Sequence, residues 1–257
     1  MIHDLNHIDF TQNSSRLKRI YYELIMRRAC RNAAAVITVS EFSKKRIVEW
    51  ARIPESKVVN IGNGVDGAYT PSAAPYAPGY PYLLCVSNRR THKNEPRVLE
   101  AFAKAQIDPG IRLVLTGLAT DALLTQAEHL GIAQRLVFAG RVPEDELPSY
   151  YRGAVALVFP SLYEGFGLPV IEAMACGTPV LTSDSTSLPE VAGDAALLVD
   201  PKSVEQISAG IERLCSDQTL RMQMVERGFK QSARFTWDMT TKRMSNVLHE
   251  INKKVSK

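Results

Sequence analysis

Glu164 and Glu172 bracket two glycines, Gly165 and Gly167, in the stretch FPSLYEGFGLPVIEAMACGTPVLT (159–182). The flanking residues read as a buried strand ending at Phe159, a loop, and a helix that begins near Pro169. Gly177 suits the position just past that helix, and Pro179 prevents its continuation. A helix N-terminus that follows a glycine-bearing loop at the carboxyl end of a parallel strand favours an anion. Its free N–H groups and dipole attract negative charge, and glycines let the ligand come close. A phosphate or diphosphate is the natural occupant. Two carboxylates beside it would repel it unless they grip hydroxyls, which a sugar or ribose supplies. The plainer alternative places Glu172 in the first turn merely to complement the dipole, worth ~0.3–1 kcal/mol. The glycines and the strand weigh against it.

A second charged element is SNRRTHKN (87–94), directly after an apolar run ending at Val86. Arg89, Arg90 and Lys93 there would share the carboxyl edge with the glycine loop. Fixed positive charge at that edge stabilises a departing diphosphate. His92 reads as a surface or phosphate-edge residue rather than a catalyst. HDLNHID (3–9) holds His3, Asp4, His7 and Asp9, but it follows a strand end rather than lying on one helix face, so no metal site is expected. Cys30, Cys85, Cys176 and Cys215 are widely spaced and form no CxxC pair, which argues for buried, reduced thiols.

Apolar runs alternating with helical spacing must position these groups. Strands are expected at 81–87, 111–116, 135–139, 155–159, 179–182 and 196–199, with helices at 94–104, 121–130, 144–151 and 169–176. That alternation predicts an α/β fold, a doubly wound parallel sheet covered on both faces. Residues 1–65 repeat the pattern incompletely, with strands at 1–3, 35–39 and 57–61 and a helix at 41–51 capped by Ser40. Residues 66–81 carry Pro71, Pro75, Pro78 and Pro81 and read as a linker. Residues 82–234 form the complete domain. Residues 235–257 form a last helix with the stripe Met244, Val247, Leu248 and Ile251.

The chain has 257 residues, 45% of them hydrophobic and 23% charged, which excludes disorder and fits one or two globular domains. No window is apolar enough for a membrane-spanning helix, and the opening does not read as a signal peptide. A cytoplasmic protein is expected. The net charge of +4 is too small to imply nucleic acid. Residues 14–32 alone carry a net +5, from Arg16, Lys18, Arg19, Arg27, Arg28 and Arg31 against Glu23. Leu17, Ile20, Tyr21, Leu24 and Ile25 share one face of that helix and are expected to pack, leaving a solvated basic face; the alternative is peripheral contact with an anionic membrane.

Several segments together resemble the retaining glycosyltransferases of family 4, with their two-domain GT-B fold. They are VITVSEFSKKRI (36–47), IGNGVD (61–66), SNRRTHKN, FAGRVPEDELPSYYRGA (138–154), EGFGLPVIEA with its Glu-x7-Glu spacing, and SLPEVAGDAALLVDP (187–201). The opening IHDL and NRRTHKN are most similar to bacterial mannosyl- and rhamnosyltransferase-like enzymes of polysaccharide assembly. The resemblance implies that Glu172 holds the ribose hydroxyls of a GDP- or UDP-linked sugar and Glu164 the sugar's 3- and 4-hydroxyls. The backbone of Phe166, Gly167 and Leu168 would meet the sugar and diphosphate, and Lys93 the diphosphate. Arg141 and Val142 would lie where the base is read, and His3 would face the donor sugar. It implies no metal and no cofactor beyond the nucleotide sugar, and a saccharide or lipid-linked acceptor.

Two positions depart from the pattern. Asn88 replaces a frequent arginine five residues before the lysine, so Arg89 or Arg90 must substitute. The family also has several βα units before the opening strand, about 100 residues at roughly 30 per unit. With those units lacking, the last helix would leave part of its stripe exposed, and a homodimer is expected. The same gap admits a second reading, a catalytically incomplete donor-binding fragment that needs the missing strands or a partner chain. A dinucleotide-dependent dehydrogenase is disfavoured, since no GxGxxG follows a first strand.

Overall fold

The computed structural model describes residues 1–10, 12, 14–72 and 74–255, so positions 73 and 256–257 of the stretches above lie outside the described residues. The chain opens with a short helix α1 (Asn6–Asp9). Then α2 (Arg16–Tyr21), a π-helical turn (Tyr22–Met26) and α3 (Arg27–Asn32) follow one another directly. Next come β1 (Val36–Thr38), α4 (Glu41–Ala51) and β2 (Val58–Asn60), with β1 and β2 paired in parallel. The Ser40 hydroxyl accepts the Ser43 amide at 3.0 Å and caps α4. The expected strand at Met1–His3 does not form. That segment gives only one ladder-like bond, from the Ile2 amide to the Ile37 carbonyl at 2.8 Å. Ile2, Leu5, Cys30, Ile47, Trp50 and Val58 make a small core of their own.

The basic helical segment is turned away from its expected packing. Leu17 is 80% exposed and Leu24 65%, and Ile20, Tyr21 and Ile25 are exposed with them. The face that packs instead runs through Tyr22, Met26, Cys30 and Ala33, and Trp50 donates its indole N–H to Glu23 at 2.7 Å. Both faces are apolar, so spacing alone did not decide which one the small core would take.

The larger part alternates strand and helix throughout. It contains β3 (Tyr82–Cys85), α5 (Glu95–Lys104), β4 (Arg112–Leu115), α6 (Asp121–His129), β5 (Leu136–Phe138) and α7 (Leu147–Gly153). It continues through β6 (Ala156–Phe159), α8 (Leu168–Ala175), β7 (Val180–Ser183), α9 (Leu188–Ala192) and β8 (Ala196–Val199). The six strands are all parallel in the order β5-β4-β3-β6-β7-β8. Successive side chains supply opposite cores. Leu83 and Cys85 pack with Val98, Phe102 and Ile211 on one face, while Tyr82 and Leu84 pack with Tyr151, Val170 and Met174 on the other. Each fully buried leucine contributes about 1.5–3 kcal/mol of transfer free energy. The strand order reverses between β3 and β6, which leaves a crevice between the loops at their carboxyl ends.

Helices α10 (Val204–Ser216) and α11 (Gln218–Ser232) complete the covering layers, and α12 (Trp237–Val255) returns to the N-terminal portion. There Val247 is buried, Leu248 is exposed, and Arg243 Nη1 donates to the Ile61 carbonyl at 3.4 Å. Further bonds stitch the two portions. The Glu190 carboxylate accepts the first amide of α4 at 3.0 and 3.2 Å, Ser43 Oγ donates to the Gly165 carbonyl at 3.1 Å, and the Tyr163 hydroxyl donates to Asp9 at 3.0 Å. Arg46 holds the same Asp9 carboxylate through Nε at 3.0 Å and Nη2 at 2.6 Å.

The two crossing segments touch at Gly64, where a Cβ would lie 2.5 Å from the Trp237 amide nitrogen, whereas one at Gly67 would meet nothing within 4 Å. Gly64→Ala therefore forces backbone apart and should cost about 1–3 kcal/mol, lowering Tm by several degrees. Gly67→Ala should leave Tm unchanged or slightly raised. Calorimetry of the two variants side by side checks the contrast.

Candidate functional site

The loops that leave β3 and β6 face each other across the crevice, and they bring Lys93 and Glu164 together. Lys93 Nζ lies 2.8 Å from Glu164 Oε1, with the two side chains only 12% and 13% exposed. The ammonium also sits 4.6 Å from the centre of the Phe159 ring at the end of β6. Ser161 Oγ lies 2.6 Å from the same Glu164 oxygen and 2.9 Å from the His92 carbonyl, so one hydroxyl proton serves two acceptors. Asn94 fixes the loop's far end, donating its amide to the carbonyls of Pro160 (2.9 Å) and Pro201 (2.6 Å). The cation and the carboxylate thus satisfy one another at a position where an unpaired charge is costly.

Glu172 occupies the second turn of α8, not the first, so it does not serve the helix dipole. Its Oε2 accepts the Tyr151 hydroxyl at 2.8 Å. Burial pushes the Glu172 carboxyl up to about 7 against the lowering effect of that hydrogen bond; Glu144 raises it further and Lys93 lowers it. Lys93 is therefore near enough for its charge to act on Glu172. Gly167 precedes α8 with φ of 111°, a backbone region open to glycine, and no side chain caps this helix. Pro169 carries no N–H and the Val170 amide donates to the Gly167 carbonyl at 3.0 Å, so the Leu168 amide is the one at this helix start without a helical or capping acceptor.

The space left by the two glycines is occupied by other parts of the chain. A Cβ at Gly165 would lie 2.5 Å from Asp4 Cβ, and one at Gly167 would lie 2.6 Å from Leu188 Cδ2. Their missing side chains are replaced by protein: the first lets the N-terminal segment close down, the second lets α9 pack. Phe166 is buried edge-on to Phe235, and its carbonyl accepts the Ser187 hydroxyl at 2.8 Å. Leu168 opens α8.

Arg89 departs from expectation. Its guanidinium is paired with Glu95, donates to the carbonyls of Gly117 (2.8 Å) and Leu118 (2.6 Å), and lies over the Phe138 ring. With φ of 61° it ties the loop after β3 to that after β4, and each of its three nitrogens already donates to a protein acceptor. Arg90 is exposed and lines a cavity of about 460 Å³ with Phe10, Arg97 and Thr120. His92 is not at the surface: its ring is buried near Phe10, and burial lowers its pKa. Arg141 is exposed and Val142 half-buried beyond β5, the outermost strand on that side. His3 is exposed, next to the Asp4 that fills the Gly165 gap. Among the described residues no three His, Cys, Asp or Glu side chains are grouped to hold a metal.

Tyr151 and Ser161, which hold the two glutamates, were not singled out in the sequence. Ser161 had a usable signal, its place two residues past a central strand; Tyr151, one of two adjacent tyrosines in a helix, had none.

Solved structures that share this fold include GT-B glycosyltransferases. Sucrose-phosphate synthase from Thermosynechococcus elongatus superposes with a TM-score of 0.82 at 22% identity, covering 98% of this chain and 67% of that one. HepE from Anabaena, solved with UDP and glucose, gives 0.78 at 21% identity over 86% of this chain and 65% of that one. Residues 73–231 match the family "Glycosyl transferases group 1", and residues 1–68 match "Glycosyltransferase Family 4". The chain belongs to the group 1 glycosyltransferases. It is 33% identical to the O-antigen chain mannosyltransferase B of Escherichia coli over 241 residues, 88% of this chain, and spans 63% of that relative's length.

The raised pKa of Glu172 fixes a sign for pH dependence. A carboxyl whose folded pKa lies above its unfolded value contributes its full stability below the unfolded pKa and loses it as pH rises through about 7. Between pH 5 and 8 this group should cost the wild type about 2 kcal/mol, and Glu172→Gln should escape that loss. Urea unfolding of both proteins at the two pH values measures the difference.

Proposed function

We propose that this chain builds the donor side of a glycosyltransferase that moves a hexose from a GDP- or UDP-linked sugar to a saccharide or lipid-linked acceptor, with retention of configuration, in cell-surface polysaccharide synthesis. Mannose is the favoured hexose, on the likeness to the O-antigen mannosyltransferase. The observation that carries the reading is the meeting of Lys93, Glu164 and Glu172 around the uncapped start of α8, at the reversal of strand order. Lys93 and the Leu168 amide at the start of α8 meet the diphosphate and take up the charge that develops as it leaves. Glu164 exchanges Lys93 for the sugar hydroxyls, and Glu172 takes the ribose diol. Arg90 is the remaining cation of the loop, Arg141 and Val142 border the base, and His3 approaches the sugar from the N-terminal portion. The reading uses no metal and no further cofactor.

A second reading concerns location. No helix of the described residues is long and apolar enough to cross a membrane. The exposed Leu17, Ile20, Leu24 and Ile25 lie on one helical segment with Arg16, Lys18 and Arg28, which suits a peripheral contact with an anionic cytoplasmic lipid surface near a lipid-linked acceptor.

A thermal-shift series with GDP, UDP and their hexose conjugates tests the donor site. A cognate nucleotide at 100-fold its Kd should stabilise the chain by about 2.7 kcal/mol, and Lys93→Ala and Glu172→Ala should each remove the shift. Release of nucleoside diphosphate only with acceptor present marks transfer, whereas binding without release marks the incomplete donor-binding unit. No shift with any nucleotide overturns the donor reading. Sedimentation with phosphatidylglycerol vesicles at low salt should pull the chain down and lose it on Leu24→Glu; failure to bind ends the membrane reading.

A further inference from the structure

Tyr151 is fully buried on α7, and its hydroxyl is directed at the Glu172 carboxylate, 2.8 Å from Oε2. The backbone behind it is pinned as well. The Tyr151 carbonyl accepts the Thr178 hydroxyl at 2.6 Å and the Ala154 amide at 3.1 Å, and Tyr69 from the 66–81 segment packs edge-on to its ring at 5.9 Å. Burial, then the neighbouring Glu172, drive the phenol's pKa far up, so it stays a donor at any working pH. Among the described residues, Tyr151 is the only hydrogen-bond donor to this carboxylate. One oxygen is therefore fixed, and Oε1 is left to an incoming group.

A carboxylate with one oxygen tied down can turn only about a single axis, so its free lone pairs point in set directions. A vicinal diol satisfies such an acceptor with two donors; a single hydroxyl leaves it short at a half-buried position. Sites built to meet a hydroxyl discriminate strongly against the analogue that lacks it, because their own polar group is left unpaired.

We infer that Tyr151 is a positioning residue that aims Glu172 at the ribose 2′,3′-diol and so makes the site select ribonucleoside over 2′-deoxyribonucleoside diphosphates. This rests on the reading of Glu172 as the ribose-holding residue. The other charged or titratable groups near the carboxylate are Tyr69, Glu144, Lys93 and Cys176, and they act on it through space. Tyr151 alone constrains its orientation by contact.

Calorimetric titration with GDP, 2′-deoxy-GDP, UDP and 2′-deoxy-UDP tests the inference on the wild type, Tyr151→Phe, Glu172→Gln and Thr178→Val. The wild type should prefer the ribonucleotide of its cognate base by tenfold or more. Tyr151→Phe should weaken that ribonucleotide about tenfold and leave the deoxynucleotide within about threefold, so the ratio collapses as it does in Glu172→Gln. Thr178→Val loosens the same backbone without touching the phenol and should lower Tm while keeping the ratio. A ratio that survives Tyr151→Phe but falls in Glu172→Gln overturns the inference and leaves the Glu172 reading standing. An equal collapse in Thr178→Val reduces the effect to packing and also overturns it. Wild type that binds both sugars alike, or survival of the ratio in Glu172→Gln, removes Glu172 from the ribose and the inference with it. If Tyr151→Phe does not fold, Tyr151→Met, which also lacks the donor, carries the same readout.

Discussion

A parallel sheet that grows outward in both directions from two neighbouring strands must send their following loops apart, onto opposite faces. Here those strands are β3 and β6, and the central charged groups of the proposed donor site trace to that reversal. Lys93 follows β3, Glu164 follows β6, and α8 starts from the same loop and carries Glu172 one turn in. The buried ladder beneath, from Tyr82 to Cys85 and Ala156 to Phe159, has no slack, so the loops inherit rigid starting points.

The electrostatics follow from placing charge in this crevice without a ligand. Lys93 and Glu164 neutralise each other, with Ser161 and the Phe159 ring completing the ammonium's and carboxylate's surroundings. In the proposed function a diphosphate would be the stronger partner for Lys93, and sugar hydroxyls would replace it at Glu164. Ligand capture is then an exchange of partners rather than the filling of an open charge, which limits the desolvation penalty on either side. Glu172 makes no ion pair among the described residues, and burial raises its pKa while the Tyr151 hydrogen bond lowers it.

Much of this was legible in the residues. The alternation of apolar runs gave all six strands of the large sheet to within two residues at either end, because buried parallel strands read as continuous Leu, Val and Ile. The carboxyl-edge loop with Glu164 and Glu172 followed from glycine and proline punctuation, and Lys93 from a basic stretch directly after an apolar run. What stayed hidden was tertiary. Periodicity could not choose between the Leu17–Leu24 face and the Tyr22–Met26 face, both apolar. Arg89 looked like a ligand-binding cation because nothing local foretold Glu95 and the Gly117 carbonyl as its partners. Gly165 and Gly167 looked like ligand clearances, yet Asp4 and Leu188, far away in sequence, occupy the space.

The carboxylate of Glu190 on the first amide of α4 makes one portion of the chain complete a helix belonging to the other. Any hinge motion that widens the cleft strips that helix end of its acceptor, and water must take over the amide and rehydrate the freed carboxylate. The angle between the two portions is thereby coupled to solvation at a point remote from the proposed donor site.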